Sequence, residues 1–167
     1  PPVKIALGEK QFYGRGRIVD SSFLDMFTFP IVKGNSTTAL NDVSSIVLTE
    51  TLAKSIFGDE DPIGKILKLD NTDNFKVSAV VKAPPANSQF DFEFLVPWAY
   101  MRMKGWDDDF WGNNSIATYV LLKENTSLAS IEPKIKTLRK KYDKGDPKIE
   151  TFLYPMSRWR LHGSFEN

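Results

Sequence analysis

Polar and apolar residues alternate most regularly between Ile66 and Lys82. Ile66, Leu67 and Leu69 lead into a polar run, Asn71–Asn74. Phe75, Val77, Ala79 and Val81 then alternate with Lys76, Ser78, Val80 and Lys82. A period of two broken by a polar turn predicts a β-hairpin, and Pro84-Pro85 stops its second strand. Alternation returns in QFDFEFLVPW (89–98), which places Phe90, Phe92 and Phe94 on one side. The apolar run Ile46-Val47-Leu48 reads as a buried strand. Thr49 can cap a helix over ETLAKSIF, with Glu50 at its positive end and Gly58 at its C-terminus.

The first third is less regular. FYGRGRIVD (12–20) has strand-forming ends and two glycines, which suggest a bulge or a bent strand. SSFLDMFTF (21–29) predicts a short helical turn capped by Ser21 or Ser22, with Phe23 and Phe27 on one face. WAYMRMKG (98–105) is helical in character, and WDDDFWGNNS (106–115) is a loop. Beyond it, SIATYVLLK (115–123) predicts a strand. In SLASIEPKIKTLRKKYD (127–143), Ile131, Ile135, Leu138 and Tyr142 form one helical stripe. Ser127 or Ser130 caps that helix, and Pro133 fits only within its first turn. KIETFLYP (148–155) predicts the closing strand of a βαβ unit. The fold class is therefore α+β, a β-rich part with short helices followed by a βαβ part, with a boundary at residues 113–115.

Composition removes several chemistries. The 167 residues include no Cys and one His, His162. Disulfides, thiolate metal sites and multi-His metal sites are excluded. The net charge of +1 gives no general attraction to nucleic acid, so no nucleic-acid partner is expected. No apolar run approaches the roughly 20 residues that span a bilayer. The chain opens PPVKIALGEKQ, without Met or a signal peptide, which reads as a piece of a longer protein.

Four stretches carry candidate chemistry. FGDEDPIGK (57–65) has the glycines and lysine of a phosphate loop. Its glycines are wrongly spaced, Ile66 stands where Ser or Thr is needed, and the order is helix then strand, so no helix N-terminus receives a phosphate. Asp59, Glu60 and Asp61 are too few for a Ca²⁺ cage and read better as a solvated turn. In WDDDFWGNN (106–114), Trp106 and Trp111 flank Asp107, Asp108 and Asp109, as in a sugar site, and Trp106, Phe110 and Trp111 are the interaction candidates. A carbohydrate-binding or carbohydrate-active domain is thus the alternative reading, against buried Trp anchors in a solvated loop. The lysine-rich run 134–144 suits the polar face of a helix. Arg158 and Arg160 flank Trp159 near the end, a mixture fitted to the headgroup level of a membrane or to an ordinary tail. None of these supports catalysis, so no enzyme activity and no cofactor are expected.

Several stretches together resemble one family. IVDSSFLDMFTFPIVKGN (18–35), SIVLTETLAKSIFGDEDPIGKILKLD (45–70), KVSAVVKAPPANSQFDFEFLVPW (76–98) and LYPMSRWRLHGSFEN (153–167) occur in order. They resemble the MacB-like periplasmic core domain of FtsX-like ABC transporter permeases. Its signature matches Gly58, Asp61, Pro62, Gly64, Lys65, Pro85 and Asn87. The resemblance implies a β-rich subdomain called Sabre over 1–114 and half of a porter-like α/β part over 115–167, leading to the membrane. It implies a periplasmic domain of an inner-membrane protein, with ATP acting only at a separate cytoplasmic ATPase. Implied partners are that ATPase, a second permease copy, and a periplasmic adaptor or lipoprotein. The implied work is mechanotransmission, export or lipoprotein traffic.

Overall fold

The computed structural model describes residues 1–107, 116–142 and 149–159. The chain forms two compact units, Pro1–Asp108 and Asp109–Asn167.

The first unit is built on one mixed sheet. Its elements are β1 (Val3–Leu7), β2 (Lys10–Gly14), β3 (Gly16–Val19), α1 (Phe23–Met26), β4 (Ile31–Gly34), β5 (Ser45–Thr49), α2 (Glu50–Phe57), β6 (Ile66–Leu69), β7 (Asp73–Val81), β8 (Phe94–Pro97) and α3 (Trp98–Met103). The strand order is β2-β1-β6-β7-β5-β8-β3, with β4 also against β7. The two ends of that path, β2 and β3, are separated in the chain only by Arg15. The sheet therefore curls back on itself, and one bent strand joins β1 on one side to β8 on the other. This is the bent strand expected from the two glycines.

Each face of the sheet holds a core. Ile5, Ile46, Leu48, Leu67, Phe75, Val77 and Phe94 pack against Leu52, Ala53, Ile56 and Phe57 of α2. Val47, Ala79, Val81, Phe92 and Leu95 pack on the other face with Leu24, Ala39 and Leu40. β5 is buried along its whole length because both faces are covered. Half-buried Phe23, Phe29 and Phe90 extend the second core, with ring centroids 5.4–5.8 Å apart.

Local chemistry explains the elements. The Thr49 hydroxyl accepts from the Leu52 amide at 3.3 Å and caps α2, as expected. Ser22 makes no such side-chain cap on α1. Asp20 does the work there, its carboxylate accepting from the Ser22 amide at 3.0 Å and hydroxyl at 2.9 Å. Those bonds hold the Asp20 carboxyl below its ordinary range. The β6–β7 hairpin turns on Asp70 and Asn71, both at positive φ, with the Thr72 amide bonding the Leu69 carbonyl at 3.0 Å. Two positive φ values in succession match the twist of the strands.

Two alternations depart from the expected period. Phe75 and Val77 face the α2 core, but Ala79 and Val81 face the other one. The register against β5 skips Ser78, a β-bulge that moves the later residues to the opposite face. The Ser78 hydroxyl donates to the Ala39 carbonyl at 2.6 Å. Likewise Phe92 and Phe94 lie in different cores, because β8 begins only at Phe94. Strands β1 and β4 carry no strong period and were not expected.

In the second unit, the expected single helix forms as α4 (Leu128–Ile135) and α5 (Leu138–Tyr142). Ser127 is the cap, accepting from the Ser130 amide at 3.3 Å. Pro133 lies inside α4 rather than in its first turn. Its missing N–H removes one helical bond, in line with the short helix. A short α6 follows (Met156–Trp159). Among the described residues, 116–123 and 149–155 form no strand. A strand exists only with a hydrogen-bonded neighbour, and no described strand of this unit offers one.

Candidate functional site

The signature residues build a turn. Gly58 ends α2, its amide bonding the Lys54 carbonyl at 2.9 Å. Pro62 is buried. The Lys65 amide reaches the Pro62 carbonyl at 3.1 Å, with Gly64 at φ +79° as the third residue of that turn. The turn is stitched to β7: the Gly64 amide donates to the Val77 carbonyl at 2.8 Å, and the Val77 amide donates to the Lys65 carbonyl at 2.9 Å. The Asp61 carboxylate accepts from the Ile63 amide at 3.3 Å and from Lys33 of β4 at 3.0 Å. These two contacts, Lys33 first, lower its affinity for a proton. Lys65 pairs with Glu60 at 3.3 Å. Two of the three acids in this loop are thus paired with lysines. No group of three metal-ligating side chains occurs among the described residues.

Pro85 and Asn87 are exposed in a tight turn, where the Ser88 amide bonds the Pro85 carbonyl at 2.8 Å. The Ser88 hydroxyl then accepts from the Phe90 amide at 3.0 Å, so this signature segment delivers Phe90 to the aromatic cluster.

The Trp–Asp segment is placed in part. Phe110 and Trp111 lie outside the described residues, as does Arg160. Trp106 is 56% exposed and packs edge-on against Tyr100, centroids 5.8 Å apart. Asp107 is half-buried against α3. Its carboxylate accepts from Trp98 Nε1 at 3.1 Å and Arg102 Nε at 2.9 Å, both on α3. Arg102 first, then Trp98, holds the Asp107 carboxyl below its usual range. Arg158 stands exposed on α6, its amide bonding the Pro155 carbonyl at 2.9 Å.

Beside this lies a cluster that local sequence did not mark. Asp73, which opens β7, accepts from the Tyr100 hydroxyl at 2.9 Å and from Lys104 at 3.0 Å. Lys104 Nζ lies 5.9 Å from the Tyr100 ring centre and 5.6 Å from that of Trp106. Lys104, then Tyr100, keeps Asp73 readily ionised. Burial and the Asp73 carboxylate push the Tyr100 hydroxyl up to about 12. Asp73 and Lys104 are 31 positions apart, and no spacing rule pairs them.

A curled mixed sheet with short helices, whose signature residues serve a turn, defines a β-rich α+β domain. Residues 4–138 match the MacB-like periplasmic core domain, and the chain belongs to that family. It is a periplasmic domain of a MacB-like ABC transporter permease. Solved structures agree in fold. A domain of a protein described as a permease, from Porphyromonas gingivalis, is 22% identical with a TM-score of 0.69, covering 96% of this chain and 77% of that one. The periplasmic region of MacB from Actinobacillus actinomycetemcomitans is 17% identical with a TM-score of 0.57, covering 84% of this chain and 63% of that one. The extracellular domain of the ABC-type transporter YknZ from Gram-positive bacteria is 15% identical with a TM-score of 0.50, covering 64% and 55%. This chain thus spans less than two thirds of the latter two. No curated protein matches it.

Proposed function

We propose that this domain is a non-catalytic mechanical part of its permease, carrying movement driven by cytoplasmic ATP hydrolysis to a periplasmic partner or substrate. The observation that carries the reading is the family match over residues 4–138, joined to a signature block that serves folding. Gly58, Asp61, Pro62, Gly64 and Lys65 tie α2, β4 and β7 together. In this reading the domain binds no cofactor, and ATP acts at a separate ATPase. A second permease copy and a periplasmic adaptor or lipoprotein are the partners. In this reading exposed Arg158 is on the membrane side and exposed Trp106 is open to a periplasmic partner, while Phe110, Trp111 and Arg160 lie outside the described residues.

The second unit supports an incomplete porter-like half. None of its residues 116–142 and 149–158 is buried. Ile116, Val120, Leu121 and Ile149 are 53%, 56%, 74% and 39% exposed. Apolar residues of strand character in that state need a sheet partner, which a further segment of the parent would supply.

The experiment uses the full-length permease with its ATPase. A disulfide that locks this domain to its copy in the dimer is expected to stop transport while ATP hydrolysis continues, with recovery on reduction. Unimpaired transport after deletion of the domain would overturn the reading.

A further inference from the structure

Residues 98–107 end the first unit, and their bonding is denser than a chain exit requires. α3 closes in a Schellman arrangement: the Trp106 amide donates to the Met101 carbonyl and the Gly105 amide to the Arg102 carbonyl, each at 3.0 Å. Gly105 takes the φ of +68° that this end needs. Two carboxylates then hold the ending. Asp107 reaches back to Trp98 at the start of α3 and to Arg102 near its end. Asp73, from the start of β7, takes Tyr100 and Lys104. Lys104 is only 29% exposed, and its ammonium sits against the adjoining rings of Tyr100 and Trp106. Tyr100 is itself 9% exposed and meets the core ring of Phe75, centroids 4.9 Å apart.

We propose that Asp73, Tyr100, Lys104, Trp106 and Asp107 form a clamp that fixes the chain's exit from the first unit to β7. β7 pairs with β4, β5 and β6, so it is the most connected strand of the sheet. A displacement arriving along the chain beyond Asp107 acts on that strand instead of unravelling α3. The mechanical meaning rests on the coupling role proposed above; the clamp itself does not.

Hydrogen exchange on the 167-residue chain tests it without membrane or ATPase. The Gly105 and Trp106 amides are expected to be protected in the wild type. They should exchange at least ~10-fold faster in Lys104→Met and in Asp107→Asn, with the Val47 and Leu48 amides unchanged. Arg102→Ala is the variant that cannot fail through misfolding, since that side chain is 73% exposed. It should loosen the same two amides, by less. Protection lost already in the wild type, or unchanged in Arg102→Ala and either other variant, would overturn the clamp. A clamp confirmed in a chain whose parent transports normally without this domain would retain the structural claim and remove only its mechanical meaning.

Discussion

The ring of Phe94 lies directly over Gly16: a Cβ at Gly16 would stand 2.3 Å from Phe94 Cζ and 2.4 Å from Cε2. Gly16 pairs with Phe94 in the parallel β3–β8 ladder, and the ring crosses the open backbone to reach the α2 core. The contact lets the bent strand close the sheet. Gly16→Ala is expected to lower stability by about 3 kcal/mol, because the ring must leave its place in a packed core. Phe94→Ala alone should cost about 3–5 kcal/mol. The double variant should lose clearly less than the sum, since removing the ring removes the clash. Denaturant midpoints of the four proteins give this coupling, and strict additivity would refute the close contact as the cause.

Thr28 follows α1 at φ +47°, a left-handed conformation unfavourable for a β-branched residue. Its side chain is exposed, so substitution changes little besides the backbone. Thr28→Gly relieves about 1–2 kcal/mol of strain and adds back about 0.5–1 kcal/mol of chain entropy. Thr28→Asn relieves part of the strain without that entropy. Both should raise the melting temperature by a few degrees, and Thr28→Val should not. Equal melting temperatures for all three would contradict the strain.

The sequence and the fold agree where local chemistry decides and part where partners do. The Thr49 cap, the helix stop at Gly58 and the bend at Gly14–Gly16 depend on near neighbours, and each was readable. The switch of faces at Ser78 was not, because a bulge is defined by the partner strand's register. β1 and β4 lack strong alternation, and their pairing with residues far along the chain makes them strands. Segments 116–123 and 149–155 have the strand pattern without a strand neighbour among the described residues. Among candidate residues, the 57–65 signature was legible as a turn. Asp73 and Lys104 were not, since only the fold brings them within 3.0 Å.

Gly64 tests the signature turn. A Cβ there would meet nothing within 4 Å, so any loss on substitution comes from its φ of +79°. Gly64→Val should cost about 2 kcal/mol, with Gly64→Asn about half as harmful. Both variants should keep the sheet's circular dichroism at low temperature. A Val variant as stable as wild type would mean the turn readily adopts another conformation, and the account of the signature as a folding device would fail.

The Asp73–Tyr100–Lys104 cluster predicts opposite pH limbs. Asp73 is faced by Lys104, Tyr100 and Thr72, and its carboxyl is lowered from 3.8. A lowered acid stabilises the fold above its unfolded value, and that contribution disappears as the pH falls below about 4. The Tyr100 hydroxyl is raised from 10.0 to about 12, by burial first and then by Asp73, with Asp70 adding to it. A raised group contributes in full below pH 10 and loses its contribution between there and about 12. Tyr100→Phe removes one hydrogen bond to a charged acceptor, about 1.5–3 kcal/mol near neutrality. Its alkaline limb should be clearly shallower than the wild type's, and its acid limb slightly shallower, because Lys104 still lowers Asp73 after the Tyr100 contact is gone. Asp73→Asn should flatten the acid limb and also weaken the alkaline one, because the carboxylate raises Tyr100. Urea midpoints measured from pH 2 to 12 separate these cases. Wild-type and Tyr100→Phe profiles that run parallel above pH 10 would show that Tyr100 is not held protonated by burial and Asp73.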